Sequence, residues 1–302
     1  MKINRKLSII IVNYNSWEFV SNCIHSVLKF IKDLDFEIIV VDNNSPNRDI
    51  QELKQTFSEV KFVQLDENKG FGFANNKAAE IAEGEYLLFL NPDTFLIDSS
   101  ITQWYKFHIL HKVGISSPIL LNSDFTLQYS NDKFHSISFL IAEAFNLQSF
   151  GINQSINRMK KKLNEEYYEI DWAIGAAILI SNQLFKKVGM FDEHFFLYYE
   201  DSDLAKKVVR EGYKNYCYTK CRIVHILSVT SNNKSFLKYH VHKSRLLYIS
   251  KYINIIGNIC LRGIFVFSII LRILQIPLKR KNVESLFKNL IRNLKLYLKP
   301  VS

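Results

Sequence analysis

The polar turn NYNSWE, which follows the first apolar run (Leu7 to Val12, LSIIIV), contains no glycine. A dinucleotide-binding enzyme needs G-x-G-x-x-G there so that its backbone can approach a pyrophosphate, and the absence argues against oxidoreductase chemistry. Cysteine is scarce and unpaired, since Cys23, Cys217, Cys221 and Cys260 include no C-x-x-C spacing. Cys217 and Cys221 flank a lysine in YCYTKCR, but two ligands without partners read as core or strand thiols before they read as a metal site. The stretch MKINRKLSIIIVNYN runs into a strand with no signal-peptide cleavage site, so the expected location is the cytosol, with reduced thiols. No repeat of longer period is present.

Acids are nearly missing from the last part of the chain: Lys234 to Ser302 holds 14 Lys+Arg and the single acid Glu284, a balance of +13. The 233 residues before it hold 25 Lys+Arg against 28 acids, or −3. The formal charge of +10 therefore belongs to the tail and is not the even basicity of a nucleic-acid binder. An uninterrupted membrane span is missing too, because Arg262 and Arg272 break the apolar run Ile255 to Ile276. Downstream, VESLFKNLIRNLKLYL alternates leucines with Lys288, Arg292, Lys295 and Lys299, the pattern of an in-plane helix on anionic lipid. A helical hairpin packed on the domain or on a second copy in a homodimer is the alternative, and a true span a third.

What is present is βα alternation. Strand patterns at Leu7 to Val12, Phe36 to Val41, Val60 to Leu65 and Tyr86 to Leu90 alternate with helical patterns at Trp17 to Phe30, Arg48 to Phe57 and Phe71 to Ala82. This predicts an α/β fold with a mostly parallel, doubly wound sheet. Asn122 to Asp171 has weak periodicity and reads as a long irregular region able to cover a substrate. WAIGAAILI reads as one strand, Ser202 to Arg210 as a helix, and Tyr213 to Cys217 and Arg222 to Ile226 as two short strands. The division expected is residues 1–235 as the α/β domain and 236–302 as a basic amphipathic helical tail.

Polar residues collect where the strands end: Asn13, Tyr14 and Asn15, then Asp42, Asn43 and Asn44, then Asp66, Glu67 and Asn68, then Asn91 and Asp93. That edge of an open α/β sheet is where ligands bind. In FLNPDT a buried strand stops at Pro92, leaving Asp93 and the Asn91 amide as hard oxygen donors for Mg²⁺ or Mn²⁺, or simply as turn residues.

Seven motifs occur in order: SIIIVNYNS, IIVVDNNS, ENKGFGFANN, LLFLNPDT, WAIGAAILI, VGMFDEHFFLYYEDSDL and IVHILSVTS. Over about Leu7 to Tyr252 the chain resembles the inverting family-2 glycosyltransferases, in particular the bacterial rhamnosyltransferase-like branch that builds cell-surface polysaccharide such as O-antigen. The resemblance implies a GT-A fold binding a nucleotide-diphospho-sugar donor and a saccharide acceptor. By this resemblance Asp42, Asn43 and the residues Asn13, Tyr14 and Asn15 line the nucleotide pocket, and Lys69, Gly70, Phe71 and Asn75 close over it. Gly70 and Gly72 would permit close backbone approach there, or form a plain helix-entry turn.

Asn91 and Asp93 occupy the D-x-D slot that holds a metal on the donor pyrophosphate, with Asn91 departing from the two-acid pattern, and His225 resembles the late histidine near it. Asp93 and His225 are thus the implied metal ligands. The Glu200-Asp201 pair is the implied catalytic carboxylate pair, Asp201 as general base. A helix N-terminus would keep Asp201 ionised, a ready but weak base. Trp172, Gly175 and Ala176 resemble the acceptor wall, with core packing as the alternative for Trp172. Lys243 and Arg245 resemble a late basic motif, or are solvated charge or lipid contacts. The expected activity is transfer of L-rhamnose from dTDP-rhamnose to a lipid-linked acceptor, by a peripheral enzyme on the cytoplasmic face of the cell membrane. A UDP-hexose donor and a catalytically silent nucleotide-sugar-binding subunit are the alternatives.

Overall fold

A computed structural model of the chain describes residues 7–46, 50–227, 234–275 and 283–299. The expected start of the second helix at Arg48, the end of the motif IVHILSVTS and the basic run Lys279 to Lys281 lie outside the described residues. β1 (Leu7–Asn13), α1 (Trp17–Phe30), β2 (Phe36–Asp42), α2 (Gln51–Thr56), β3 (Lys61–Gln64), α3 (Phe71–Ile81) and β4 (Tyr86–Leu90) alternate as the sequence predicts. Then come β5 (Thr94–Leu96), α4 (Ser100–Leu110), β6 (Ile115–Leu121), β7 (Asn131–Asp132), α5 (Ile137–Ala144), α6 (Gln148–Lys162), β8 (Tyr167–Ile170) and β9 (Trp172–Ala173). β10 (Ala177–Ser181), α7 (Asn182–Lys187), α8 (Glu200–Arg210) and β11 (Asn215–His225) precede three C-terminal helices, α9 (Lys234–Tyr252), α10 (Ile255–Leu274) and α11 (Val283–Tyr297).

One compact unit comprises residues 1–134, 155–196 and 200–230. Its main sheet has the order β3-β2-β1-β4-β10-β6-β11-β5, with β8 paired to β11. All seven residues of β1 are buried, as a strand covered on both faces requires. Alternate side chains go to opposite faces: Ile9 and Ile11 join Val20, Cys23, Ile24 and Val27 of α1, while Ile10 and Val12 join Ala74 and Ala78 of α3. β1 pairs in parallel with β2 and β4, and its register sets Asn13 beside Asp42.

The sheet is mixed rather than uniformly parallel. β10 enters antiparallel between β4 and β6, and β5 runs antiparallel to β11. WAIGAAILI is two strands, since the chain turns at residues 174–176 and leaves Trp172 and Ala173 to pair with β7. The two short strands expected near Cys217 are one, β11, with an irregularity between Tyr218 and Arg222 that keeps it on β6 along both halves. The region expected to be irregular holds α5, α6 and β8. α6, QSFGINQSINRMKKK, is mostly polar and buries few side chains, Ser155 and Met159 among them, so it shows no strong apolar period.

The second unit comprises residues 135–154, 197–199 and 231–302, so it takes in two segments that precede the expected boundary at 235. Their partners lie on its helices: Leu140 and Ala144 of α5 pack with Leu246, Ile249, Leu261 and Phe265, and Ser244 Oγ donates to Leu197 O at 2.8 Å. The charges in its apolar segments are satisfied internally. Arg245, 4% exposed, pairs with Glu143, donates to Tyr297 Oη at 3.1 Å and lies 4.7 Å from the Phe265 ring centroid. Arg272 donates to Ala144 O, and Arg262 to Asn258 Oδ1 and Lys299 O, both at 2.8 Å. α10 is, among the described residues, one helix long and apolar enough to cross a membrane, and Ile255, Ile256, Ile259, Phe267 and Leu274 on it are exposed.

Candidate active site

The end of β1 is fastened to the end of β2 by side chains. Asn13 Nδ2 donates to Asp42 Oδ1 at 2.9 Å and to Ser45 Oγ at 3.2 Å, while Asn13 Oδ1 accepts from Ser16 N and Oγ. Asp42, 1% exposed, also accepts from the Ser45 hydroxyl and from Ser45 N. Its carboxylate therefore shapes the two loops. Asn15 and Asn44 turn through left-handed backbone, with φ of 55° and 61°. Tyr14 is half-buried and Asn15 exposed at this edge. Asn43 is buried and donates to Asn68 Oδ1 at 3.0 Å and to Gly70 O at 3.1 Å, leaving its Oδ1 without a hydrogen-bond partner among the described residues.

Gly70 is required by its backbone. Its φ is +102°, and a Cβ would stand 2.2 Å from Phe196 O. Phe71 N donates to that same Phe196 O at 2.9 Å, so the ENKGFG turn is laid against the loop leading toward α8. Asn76 fixes the loop again, donating to Phe191 O and accepting from Phe191 N. Two of the expected nucleotide-side residues are used differently: Asn75 Nδ2 donates to Phe71 O within its own helix, and Lys69, half exposed, pairs with Glu67 at 2.5 Å.

Asp93 lies on the turn after β4, held where Thr94 N and Oγ1 donate to Asn91 O. β11 returns antiparallel to β5 with His225 opposite Thr94, and this register brings His225 Nε2 within 3.3 Å of Asp93 Oδ1 and 3.4 Å of Asn91 Nδ2. Asp93 and His225 are 5% and 4% exposed, and Asn91 Oδ1 is buried without a hydrogen-bond partner among the described residues. A carboxylate, an imidazole and an orphaned amide oxygen within one small volume fit a divalent cation. Among the described residues no group of three or more His, Cys, Asp or Glu converges, so the protein's charged contribution would be Asp93, with His225 beside it.

The second acid centre is joined to this one by a short turn. Gly175 N donates to Asp201 Oδ2 at 3.1 Å, and Ala176 O accepts from Asn91 N at 2.8 Å. Asp201 Oδ1 also accepts from Ser202 N at 2.6 Å, as expected in the first turn of α8. These donors lower its pKa, but burial outweighs them and the carboxyl is pushed up to about 6. At neutral pH such a carboxyl is still mostly ionised, and it is a stronger base than the helix position alone implies. Glu200 is 5% exposed, and burial, then the Asp201 charge, raise its carboxyl well above the usual range. Both carboxyls of the pair are thus shifted toward the neutral form.

Of the expected acceptor residues, Gly175 lines the turn beside Asp201. Ala176 is fully buried and acts through its carbonyl, whereas Trp172 is 6% exposed, donates Nε1–H to Lys133 O at 3.0 Å and packs edge-on against Tyr129. The Trp172 ring is a core group. Arg245 belongs to the interior of the second unit. Ser45 and Phe196 were not foreseen; Ser45 sits in a strand-end turn already marked by neighbouring Asp and Asn, while Phe196 acts through a carbonyl that no side-chain pattern reveals.

The family described as Glycosyl transferase family 2 matches residues 8–202. The chain is 28% identical over 224 residues to the low-salt glycan biosynthesis hexosyltransferase Agl10 of Haloferax volcanii, covering 72% of this chain and 65% of that protein. It is 25% identical over 258 residues to the rhamnosyltransferase WbbL of Escherichia coli K12, covering 80% of this chain and 92% of that one. The chain therefore spans less than two thirds of the Haloferax protein's length. Its fold is that of GalNAc-T7, solved with UDP, GalNAc and Mn²⁺, at a TM-score of 0.57 and 16% identity over 82% of this chain and 51% of that one. With the match running from the second residue of β1 to the third of α8, through both acid centres, the chain belongs to glycosyl transferase family 2.

Proposed function

We propose that this glycosyltransferase moves one sugar, with inversion, from a nucleotide-diphospho-sugar to a hydroxyl of a lipid-linked or saccharide acceptor in cell-surface polysaccharide synthesis. The observation that carries the reading is the attachment of Asp201 and of the Asn91–Asp93 turn to one segment, residues 175–176. Inversion needs the incoming hydroxyl's proton and the leaving diphosphate's charge handled at fixed separation across one anomeric carbon. Asp201 accepts the proton as the hydroxyl oxygen bonds to that carbon. The bond from carbon to the diphosphate oxygen breaks, and its electron pair leaves with the nucleoside diphosphate. Asp93, His225 and Asn91 are the residues that would hold Mg²⁺ or Mn²⁺, which when bound supplies charge neutralisation on the diphosphate. Asn13 to Asn15, Asp42, Asn43 and the Gly70–Phe71 turn are assigned to the nucleotide side.

The donor proposed is dTDP-rhamnose, supported by the likeness to WbbL along most of that protein's length. A UDP-linked hexose is the second reading, favoured by the likeness to a hexosyltransferase. Calorimetric titration with dTDP-rhamnose and UDP-glucose, each with Mn²⁺, is expected to give tighter binding of dTDP-rhamnose. Binding of UDP-glucose alone would move the donor to the second reading, and binding of neither would favour a silent subunit.

Asp201→Asn keeps the size and one of the two N–H contacts, from Gly175 or from Ser202, but cannot take a proton. Transfer is expected to fall about 10²- to 10⁴-fold with donor affinity nearly unchanged. Near-normal turnover by a folded Asp201→Asn protein would remove Asp201 from the base role.

Because the base must be ionised and its carboxyl is pushed up to about 6, kcat/KM should fall as pH drops through about 6 and level off above it. An unperturbed carboxylate would place that limb near about pH 4. Rates measured across about pH 5 to 8 separate the two, and a flat profile over that range would contradict a raised Asp201.

The helical unit is proposed to rest on the inner face of the cell membrane. Support comes from the +13 balance of Lys234 to Ser302 and from the exposed apolar side chains of α10. The full chain should sediment with anionic phosphatidylglycerol vesicles and be only partly released by high salt, which screens the basic groups but leaves apolar insertion. Protein that ignores vesicles and elutes as a dimer would assign this face to a second copy.

A further inference from the structure

His225 has a second neighbour, on the side away from Asp93. Its Nδ1 lies 2.8 Å from Gln128 Oε1, and Gln128 is 5% exposed. The orientation of the Gln128 amide follows from a partner that can only accept. Gln128 Nε2 donates to the backbone carbonyl of His225 at 2.9 Å, and its second hydrogen goes to Asn122 Oδ1 at 2.8 Å. With the nitrogen so committed, Oε1 faces Nδ1. An amide oxygen cannot donate, so the ring nitrogen must.

Beyond Gln128 the donors keep one direction. Asn122 Nδ2 donates to Thr126 Oγ1 at 2.9 Å, and the Thr126 hydroxyl donates to Asp124 Oδ1 at 2.6 Å. Thr126 N donates to the same oxygen, and the two contacts hold the Asp124 carboxyl below the usual range. A hairpin after β6 supplies the chain of groups, closed by Asn122 N to Thr126 O at 2.8 Å and by Phe125 in left-handed backbone at φ 63°. Gln128 N, bonded to Leu120 O at 2.9 Å, brings its side chain back to β11.

We propose that Gln128 is a positioning residue that keeps His225 in the Nδ1–H tautomer and so presents the bare Nε2 lone pair toward Asp93 and Asn91. The proposal rests on the reading of Asp93 and His225 as cation-holding residues. With one ring proton, on Nδ1, the Nε2 lone pair stands 3.3 Å from a carboxylate oxygen, an arrangement that a cation relieves and that the ordinary Nε2–H form would spoil as a ligand.

The test uses the full chain labelled with ¹⁵N-histidine, without metal, at about pH 8, the His225 signals being identified from their loss in His225→Ala. Wild-type protein is expected to carry the proton on Nδ1 of His225 with Nε2 bare. Gln128→Met, similar in length but with no amide acceptor, should shift the ring toward Nε2–H and weaken Mn²⁺ binding, read by the paramagnetic signal of free Mn²⁺, by about 10- to 100-fold. Gln128→Glu, which still accepts from Nδ1 although it cannot donate to His225 O and Asn122 Oδ1, should retain Nδ1–H, and it keeps the test open if the Met variant does not fold. A wild-type ring protonated on Nε2 or on both nitrogens, a Gln128→Met ring that keeps Nδ1–H, or a Gln128→Glu ring that loses it would overturn the proposal. His225→Ala separates the two readings. If it binds Mn²⁺ as wild type does, the cation reading fails. If it weakens binding while Gln128→Met does not, the cation reading stands and the role of Gln128 falls.

Discussion

The turn at residues 174–176 is the constraint on which the rest of the site depends. Its start is fixed by Ile174 N bonding to Ser130 O, its end by β10 pairing with β4, and in between it gives an N–H to Asp201 and a carbonyl to Asn91. The bond to the Asp201 carboxylate is worth about 1.5–3 kcal/mol and the neutral backbone bonds about 0.5–1.5 kcal/mol each. Their larger effect is geometric, because two acids from elements far apart in sequence are referred to a single short piece of backbone. Gly175 has room for nothing larger without adjustment, since a Cβ there would lie 3.3 Å from the Phe71 ring and 3.8 Å from Asp201 Cβ.

Two opposing effects meet at Asp201. The first turn of α8 and the Gly175 N–H favour the anion, as any helix start would, and enclosure favours the neutral acid. Enclosure prevails, and the result is a stronger base than the helix position alone provides. Glu200 is raised as well, by burial and then by the neighbouring Asp201 charge, so the pair resists carrying two negative charges side by side.

Elements with strong local patterns were legible in the sequence. The strand ends at Asn13, Asp42 and Leu90 were expected to within a residue or so, because runs covered on both faces are mostly apolar and end abruptly, and the end of the half-buried β3 at Gln64 was expected one residue later. Asp93 could be singled out because Pro92 follows a strand. Strand direction was not legible: nothing local to AILIS distinguishes an antiparallel entry between β4 and β6 from another parallel strand. The same holds for Gln128, whose meaning arises only when β6 and β11 pair in register and set residues 128 and 225 side by side. Asp201 was singled out by the family resemblance, its helix start being ordinary by itself, and the balance of its charge depends on burial, which sequence spacing does not report.

Just before Glu200 the backbone is strained. Tyr198 and Tyr199 both occupy left-handed conformations, with φ of 69° and 70°, at a cost of roughly 1–2 kcal/mol each for residues that carry a Cβ. Those two residues and Leu197 belong to the second unit, where Ser244 holds the Leu197 carbonyl and Glu143 accepts from the Tyr199 hydroxyl at 3.1 Å. Glu143 is itself fixed by Arg245, which is buried against Phe265 and Tyr297. A buried arginine is costly unless its donors are used, and here they are used to hold the carboxylate that holds the turn. The helical unit thus holds the strained residues that precede Glu200 and Asp201, and its interior charges have a structural reason of their own.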